Sequence, residues 1–371
     1  MKKKPTKLNL QFGRYSNVVN NPKRNAYWEY AFKMYEAKKY VDAYKSLLLY
    51  LENAVGDNIN VTLVSKLRFN FQIIQGSKMI LGTVNEDGIF VEVKVGKTPQ
   101  HNFTLYHQLL EENYYRHYTK YALDTEGNIC IMFQSDHASA SPLKLYYALR
   151  EMGISADKND DVWVQQHGII PTHTEHKYAA SLLEHEIKYT YFKNKFDQLL
   201  DYVDLHCDFL KAYPGAHAYI ILDFVLTMDY LLKPEGSLMR SFEDIYRSFS
   251  NSVFTRPEEK VAAMMQSLIP LGQIDKTLFY KEIYPTLYTF GTPEFTNHPK
   301  IAEVIHSEIQ NMDWYLNNKR YEIVEAIGRY ISGHLFYNYT LPSIDRDLLH
   351  LIYQVNEDHF HTLNLLTIQN G

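Results

Sequence analysis

The feature that most constrains this chain is a run of alternating apolar and polar residues between residues 67 and 95. Apolar side chains occupy every second position over 67–73 and again over 89–95, the period of a strand with one buried face. Residues 79–84 are apolar at both odd and even positions, as in a strand at the middle of a sheet. Asp87-Gly88 is a tight-turn pair. The sequence therefore predicts a three-stranded antiparallel meander.

Helical patterns flank this meander on both sides. A helix is predicted upstream within residues 26–53, and a second begins at Asn102 or Thr104, which can cap it. Two short strands follow, near 121–123 and 129–133, and Ser141-Pro142 begins a helix that Gly153 ends. The inner face of the second helix is predicted to carry Tyr106, Leu109, Leu110, Asn113 and Tyr114. The order α-β-β-β-α-β-β-α predicts an α+β fold with an antiparallel sheet and flanking helices.

This order resembles the type III secretion chaperone-like fold, which secretion chaperones share with a family of bacterial sensory transduction regulators. The resemblance covers about residues 26–155. It is carried by the element order, the Asp87-Gly88 hairpin and the run Ser-Pro-Leu-Lys-Leu-Tyr-Tyr-Ala-Leu-Arg-Glu over 141–151. Members of that fold commonly dimerise and bind extended protein segments. The resemblance therefore implies protein binding and no chemistry.

No alternating pattern occurs after Phe133, and Pro- and Gly-containing breaks divide the remainder into segments of helical length. Thr172 with Glu175 and Thr255 with Glu258 are capping boxes that begin two of these segments. The acidic stretch 157–161 is predicted to be a solvated linker. The predicted domains are a basic flexible tail (1–25), the α+β domain (26–160) and an all-α helical domain (161–371).

Composition narrows the function classes. A net charge of −5 argues against a general nucleic-acid binder, although the basic tail keeps that alternative open. Only two cysteines are present, and no signal peptide is recognisable at the N-terminus, so the cytoplasm is the predicted compartment. Residues 216–232 form the longest apolar run, but three ionisable residues within it favour a buried helix over a membrane span. No cofactor motif is present.

A group of histidines and glutamates lies between His167 and Glu186. Its weak candidate metal ligands are His173, His176 and Glu184, because their spacing approaches that of ligands on one helix face. None of the usual metal-binding motifs is present. A metal-dependent enzyme that uses this cluster is therefore the alternative function.

The sequence favours a non-enzymatic protein that binds another protein or a second copy of itself. The predicted recognition surface is an exposed face or edge of the sheet together with the groove beside the flanking helices. Tyrosine suits such a surface because its ring buries apolar area while its hydroxyl can stay in water. The predicted aromatic anchors are Tyr114, Tyr146 and Tyr147.

Overall fold

The computed structural model describes residues 12–13, 22–53, 56–172, 180–250, 253, 256–291 and 293–363. The chain divides into two compact units. The first, here the α+β unit, comprises Tyr15–Tyr178 and Thr286–Thr292. The second, here the helical unit, comprises Met1–Arg14, Ala179–Pro285 and Pro293–Gly371. Each unit is built from two or more separate stretches of chain.

The α+β unit contains the predicted order of elements and confirms the predicted fold class. An additional strand, β1, precedes the meander, and a two-residue strand, β7, follows the last helix. The elements are α1 (Pro22–Glu36), α2 (Tyr40–Leu51), β1 (Ile59–Leu63), β2 (Phe69–Gln75), β3 (Lys78–Val84), β4 (Gly88–Lys97), α3 (Phe103–Tyr115), β5 (Lys120–Leu123), β6 (Asn128–Asp136), α4 (Pro142–His167) and β7 (Ile170–Pro171).

The sheet is antiparallel, with the strand order β1-β2-β3-β4-β6-β5, and β7 pairs with β4. In the predicted meander, Phe71 lies opposite Gly82 and Gly82 lies opposite Val91. Buried side chains on alternate strand positions meet buried residues of α2 and α4 in one core cluster. The alternating pattern thus marks the face that the helices cover.

Helix α4 is longer than the sequence predicts, because Gly153 does not end it. The helix runs to His167 and ends at Gly168, whose φ of 63° is the left-handed conformation that glycine favours at this position. Gly153 lies against the sheet, where an added Cβ would meet Gln75 at 3.1 Å. A larger residue there would require Gln75 and its neighbours to shift by a few tenths of an ångström. The predicted domain boundary at residue 160 falls within this helix.

The predicted acidic linker is also wrong, because residues 157–161 belong to α4. Asp157 is buried, and its Oδ1 accepts a hydrogen bond of 3.0 Å from the backbone N–H of Ser77. Ser77 lies in the turn between β2 and β3. The carboxylate thus holds the first hairpin of the meander against α4.

We expect Gly76→Ala to destabilise the α+β unit by about 2–4 kcal/mol, measured by urea unfolding. Gly76 has a φ of +56°, and an added Cβ would lie 1.7 Å from the Asp157 carboxylate. Gly127→Ala is the matched control, because Gly127 has a φ of +81° but its Cβ would be 3.9 Å from the nearest atom, Lys97 Cε. The control should lose only about 1–2 kcal/mol, the cost of placing a residue with a Cβ in the left-handed conformation. Equal losses in the two variants would contradict the packing at Asp157.

Residues 286–291 complete the described α+β unit from a distant part of the sequence. The backbone N–H of Gly76 donates to Leu287 O at 2.7 Å. Gln75 Oε1 accepts from the backbone N–H groups of Thr289 and Phe290, at 3.2 and 2.8 Å. Asn58 Nδ2 donates to Thr289 Oγ1 at 2.9 Å. These are buried amide contacts, so this segment is part of the unit's interior.

The helical unit is all-α as predicted, apart from one pair of two-residue parallel strands among its described residues. The helix Leu182–Leu205 is capped by Ser181, whose hydroxyl accepts from Glu184 N, and Glu175 of the predicted capping box at Thr172 lies outside the described residues. The elements are α5 (Leu182–Leu205), α6 (Cys207–Ala212), α7 (Pro214–Leu232), α8 (Gly236–Ser250), α9 (Pro257–Leu268), a 3₁₀ helix (Ile269–Gln273), α10 (Lys276–Lys281), β8 (Glu294–Phe295), α11 (His298–Asn317), α12 (Tyr321–Asn338), β9 (Tyr339–Thr340), α13 (Ser343–Asn356) and α14 (His359–Thr362).

Helix α7 is the central helix of this unit. It is long and apolar enough to cross a membrane, but 83% of its apolar window is buried inside the fold. Asp223 of α7 accepts a bifurcated hydrogen bond from Arg329 Nε, at 2.8 Å to Oδ1 and 3.0 Å to Oδ2, and a second from Nη2 at 2.7 Å. Helix α7 therefore packs as a core helix of this unit.

Residues 1–25 are predicted to be a flexible tail, but the described residues of this stretch are packed or helical. Phe12 packs on Tyr230 and Phe360, with ring centroids 6.0 and 4.9 Å apart. The Gly13 N–H donates to Tyr230 O at 2.8 Å. Helix α1 already begins at Pro22. The apolar ring of Phe12 therefore anchors part of this basic segment in the helical unit.

Candidate binding surfaces

Strand β1 lies at one edge of the sheet and was not predicted. Its residues Val61 and Leu63 lie opposite Phe71 and Phe69, so the side chains of each pair point to the same face of the sheet. The two phenylalanines are buried, whereas Val61 is 39% exposed and Leu63 is 63% exposed. The apolar face of the sheet therefore extends past its helical cover and ends in two exposed aliphatic side chains.

The backbone of β1 also has hydrogen-bonding groups that point outward. Ile74 N donates to Asn58 O, and Val64 N donates to Arg68 O. With the register of the pair, these two bonds show that the even-numbered residues of β1 direct their backbone groups towards β2. In an antiparallel pair the intervening residues direct their N–H and C=O groups away from the partner. Those residues are Ile59, Val61 and Leu63. Within the described chain no strand pairs with this outer side of β1.

The residues that commonly protect an edge strand, lysine and proline, are missing from β1 itself. Residues 59–63 are Ile-Asn-Val-Thr-Leu, with no proline and no charged residue. The turn that follows carries Lys66 and Arg68, both exposed, and neither forms an ion pair with the described part of the chain. The edge thus combines an apolar strand, an unfilled ladder and a positive charge at one end.

A second exposed apolar face lies on α3. Only Leu105 and Leu109 of this helix are buried. Phe103, Leu110 and Tyr114 are 81%, 70% and 85% exposed, and their spacing places them on one helix face. The predicted inner face is therefore wrong for Leu110 and Tyr114. Leu109 is buried as predicted and Tyr106 packs against the core, and the two exposed residues were placed inward because α3 carries apolar residues on both faces.

The three predicted aromatic anchors are in different environments. Tyr146 is 7% exposed and makes an edge-to-face contact with Trp28, with ring centroids 5.6 Å apart. Tyr147 is 37% exposed and stacks on Tyr118 at 6.1 Å. Tyr114 lies on the open face of α3. Tyr146 is thus a core residue, and only Tyr114 and Tyr147 are available to a partner.

The predicted metal ligands do not converge where they are described. His173 and His176 lie outside the described residues. Glu184 is buried in the helical unit and forms an ion pair of 2.9 Å with Lys188. Nε2 of His185 lies 2.7 Å from Ile283 O. Across the described ranges, no three His, Cys, Asp or Glu side chains are grouped so that they could hold a metal ion.

Two ionisable side chains buried in the helical unit serve its packing. Lys188 donates to Leu232 O at 3.0 Å as well as pairing with Glu184, and burial lowers its pKa. His359 is fully buried, and neither ring nitrogen hydrogen-bonds to the described chain. Burial lowers the pKa of His359 to about 4, assisted by the nearby charge of Lys188. The ring is therefore neutral at pH 7 and packs on Tyr191, with centroids 4.5 Å apart.

No family model and no curated protein matches this chain.

Proposed function

We propose that this protein binds another polypeptide in extended conformation, which adds a strand to the outer side of β1. The observation that carries this proposal is the combination of exposed Val61 and Leu63 with an unfilled backbone ladder on the same strand. Main-chain hydrogen bonds supply affinity in this binding mode, and alternate side chains supply specificity. The occupant is therefore a segment with apolar residues at alternate positions.

The charges beside β1 define the segment further. Lys66 and Arg68 lie in the turn at the C-terminal end of the strand and are free of ion pairs in the described chain. An acidic residue at the matching end of the partner segment would lie beside them. Exposed ion pairs contribute little affinity, but they fix register and direction.

The suggested kinship with the type III secretion chaperone-like fold agrees with this role, since that resemblance implies the binding of extended segments. We propose a cytoplasmic location on the same basis, with the small number of cysteines as support. The exposed face of α3, with Tyr114, is the competing surface. A second copy of the chain is the competing occupant of the β1 edge.

The test uses short random peptides displayed on phage and selected on the full chain. We expect the enriched peptides to alternate apolar and polar residues, and to bind about tenfold more weakly to Val61→Pro. Proline at Val61 removes an outward N–H, so it blocks a partner strand without breaking the β1–β2 ladder. N-methylation of those alternate peptide residues whose N–H groups face β1 should abolish binding, because it removes the donors to the edge.

Two further variants make this test specific. Thr62→Pro removes an inward N–H and should destabilise the β1–β2 pairing, whereas Val61→Pro should leave unfolding in urea nearly unchanged. Tyr114→Ala should leave peptide affinity unchanged. Peptides that bind Val61→Pro as well as they bind the parent chain would refute the edge as the site. Concentration-dependent dimers that Val61→Pro abolishes would instead assign the edge to a second copy.

A further inference from the structure

The helical unit contains a cavity of about 500 Å³ that the proposed function does not use. Its lining comes from the first turns of α7, the end of α8, the start of α9 and the second half of α11. This volume lies in the range of small-molecule sites. The side chains that determine its chemistry are Tyr213, Tyr219, Phe249, Lys260, Trp314 and Tyr315.

The walls of this cavity are mostly aromatic. Tyr213 and Trp314 lie with ring centroids 4.9 Å apart, and Trp314 meets Tyr315 edge to face at 5.1 Å. Tyr219 lies 6.4 Å from Phe249. Flat aromatic walls favour a flat ligand, because rings gain most contact by offset stacking or edge-to-face packing.

Several polar groups around the cavity are unused. Tyr219 is satisfied, since its hydroxyl donates to Glu308 Oε2 at 2.5 Å and accepts from Asn311 Nδ2 at 3.0 Å. By contrast, the side-chain polar groups of Gln310, Trp314 and Tyr315 make no hydrogen bond to any described residue. These groups can therefore bind polar substituents of a ligand without giving up an internal partner.

Among the described residues that line the cavity, Lys260 is the charged one, and the nearby Glu308 carboxylate is already bonded to Tyr219 and Asn311. The Lys260 ammonium donates to Phe249 O at 2.8 Å and lies 5.5 Å from the centroid of the Phe249 ring. An ammonium has three donors, so donors remain after this one bond. Lys260 forms no ion pair with the described chain. The positive charge favours an anion and disfavours a quaternary ammonium, the other common ligand of aromatic cages.

We propose that this cavity binds a small planar aromatic molecule that carries an anionic group. The ring stacks on Trp314 and Tyr213, and the anionic group pairs with Lys260. Two kinds of compound share this chemistry: aromatic carboxylates and nucleoside monophosphates. The two kinds differ in the geometry of the anionic group, and the test below compares one compound of each kind.

The test is calorimetric titration of the full chain with indole-3-carboxylate and with adenosine monophosphate, each beside its uncharged parent, indole or adenosine. We expect at least one anion to bind, and to bind about tenfold more tightly than its parent. Trp314→Ala should weaken both the anion and its parent by about tenfold, because each loses the stacking surface. Lys260→Met should weaken only the anion.

The matched controls lie in the same unit and outside the cavity. Tyr321→Ala removes a 55% exposed aromatic residue, and Lys211→Met removes an exposed lysine. Neither should change affinity. Trp314 is itself 43% exposed, so its substitution should leave the fold intact, which circular dichroism checks. Failure of both anions to bind, or binding that survives Trp314→Ala and Lys260→Met together, would overturn the proposal. Such a result would not bear on the proposed binding of a peptide at β1.

Discussion

Lowering the pH from about 7 to about 4 is expected to destabilise the helical unit by about 3 kcal/mol through His359 alone. The unfolded chain takes up a proton on this imidazole near its ordinary pKa of 6.5, whereas burial lowers the native pKa to about 4. Between these values the unfolded state binds more protons. The stability contribution is therefore complete above pH 6.5 and is lost as the pH falls towards 4.

His359→Leu is the variant that isolates this effect. Both ring nitrogens lack partners in the described chain, so an apolar replacement costs no hydrogen bond there. We expect urea unfolding at pH 7 to change little, and the decline between pH 6.5 and pH 4 to become shallower. His361→Gln, two residues further along α14 and exposed, should keep the full decline. A variant with the parent's pH dependence would contradict the buried, neutral assignment.

Replacing Glu184 with leucine is expected to destabilise the helical unit by about 3–5 kcal/mol. Glu184 and Lys188 are both buried, and their charged atoms are 2.9 Å apart. Removing the carboxylate leaves a buried ammonium whose remaining contact is a carbonyl, Leu232 O. Loss of the Lys188 proton limits the cost, because neutralising an amine at pH 7 requires about 5 kcal/mol.

The double variant Glu184→Leu with Lys188→Met distinguishes an unpaired charge from a simple loss of packing. We expect it to recover most of the lost stability, since two apolar side chains can replace a buried pair of similar volume. Asp244→Leu removes a 51% exposed partner of Arg247 and should change the free energy of unfolding by less than about 0.5 kcal/mol. Urea unfolding followed by far-ultraviolet circular dichroism measures all three. A double variant no more stable than Glu184→Leu would show that the charges are not coupled.

The core of the α+β unit was predictable because strands with one buried face impose a period of two residues on the sequence. Phe69, Phe71, Val91 and Val93 all follow this rule and are buried. β1 follows the same alternation at Ile59, Val61 and Leu63, but it is short and exposed, and turn residues flank it. Its strand state depends on pairing with β2, which local sequence does not encode.

The end of α4 and the environment of Asp157 could not be read from local signals. Glycine commonly ends a helix, yet Gly153 lies inside one, where an added Cβ would come within 3.1 Å of Gln75. An aspartate in an acidic run is usually solvated, yet Asp157 is buried because it accepts from Ser77 of a distant turn. In both cases tertiary contact outweighs propensity. The aromatic cavity was missed for the same reason, since Tyr213 and Trp314 are about a hundred residues apart in the chain.

The segment 286–291 has a consequence for synthesis of the protein. Gln75 and Asn58 leave the ribosome some two hundred residues before Thr289 and Phe290, which are their partners. Until those residues have been translated, the side-chain amides of Gln75 and Asn58 lack these partners in the nascent chain. The unit that is synthesised first therefore cannot be finished until most of the other has been made.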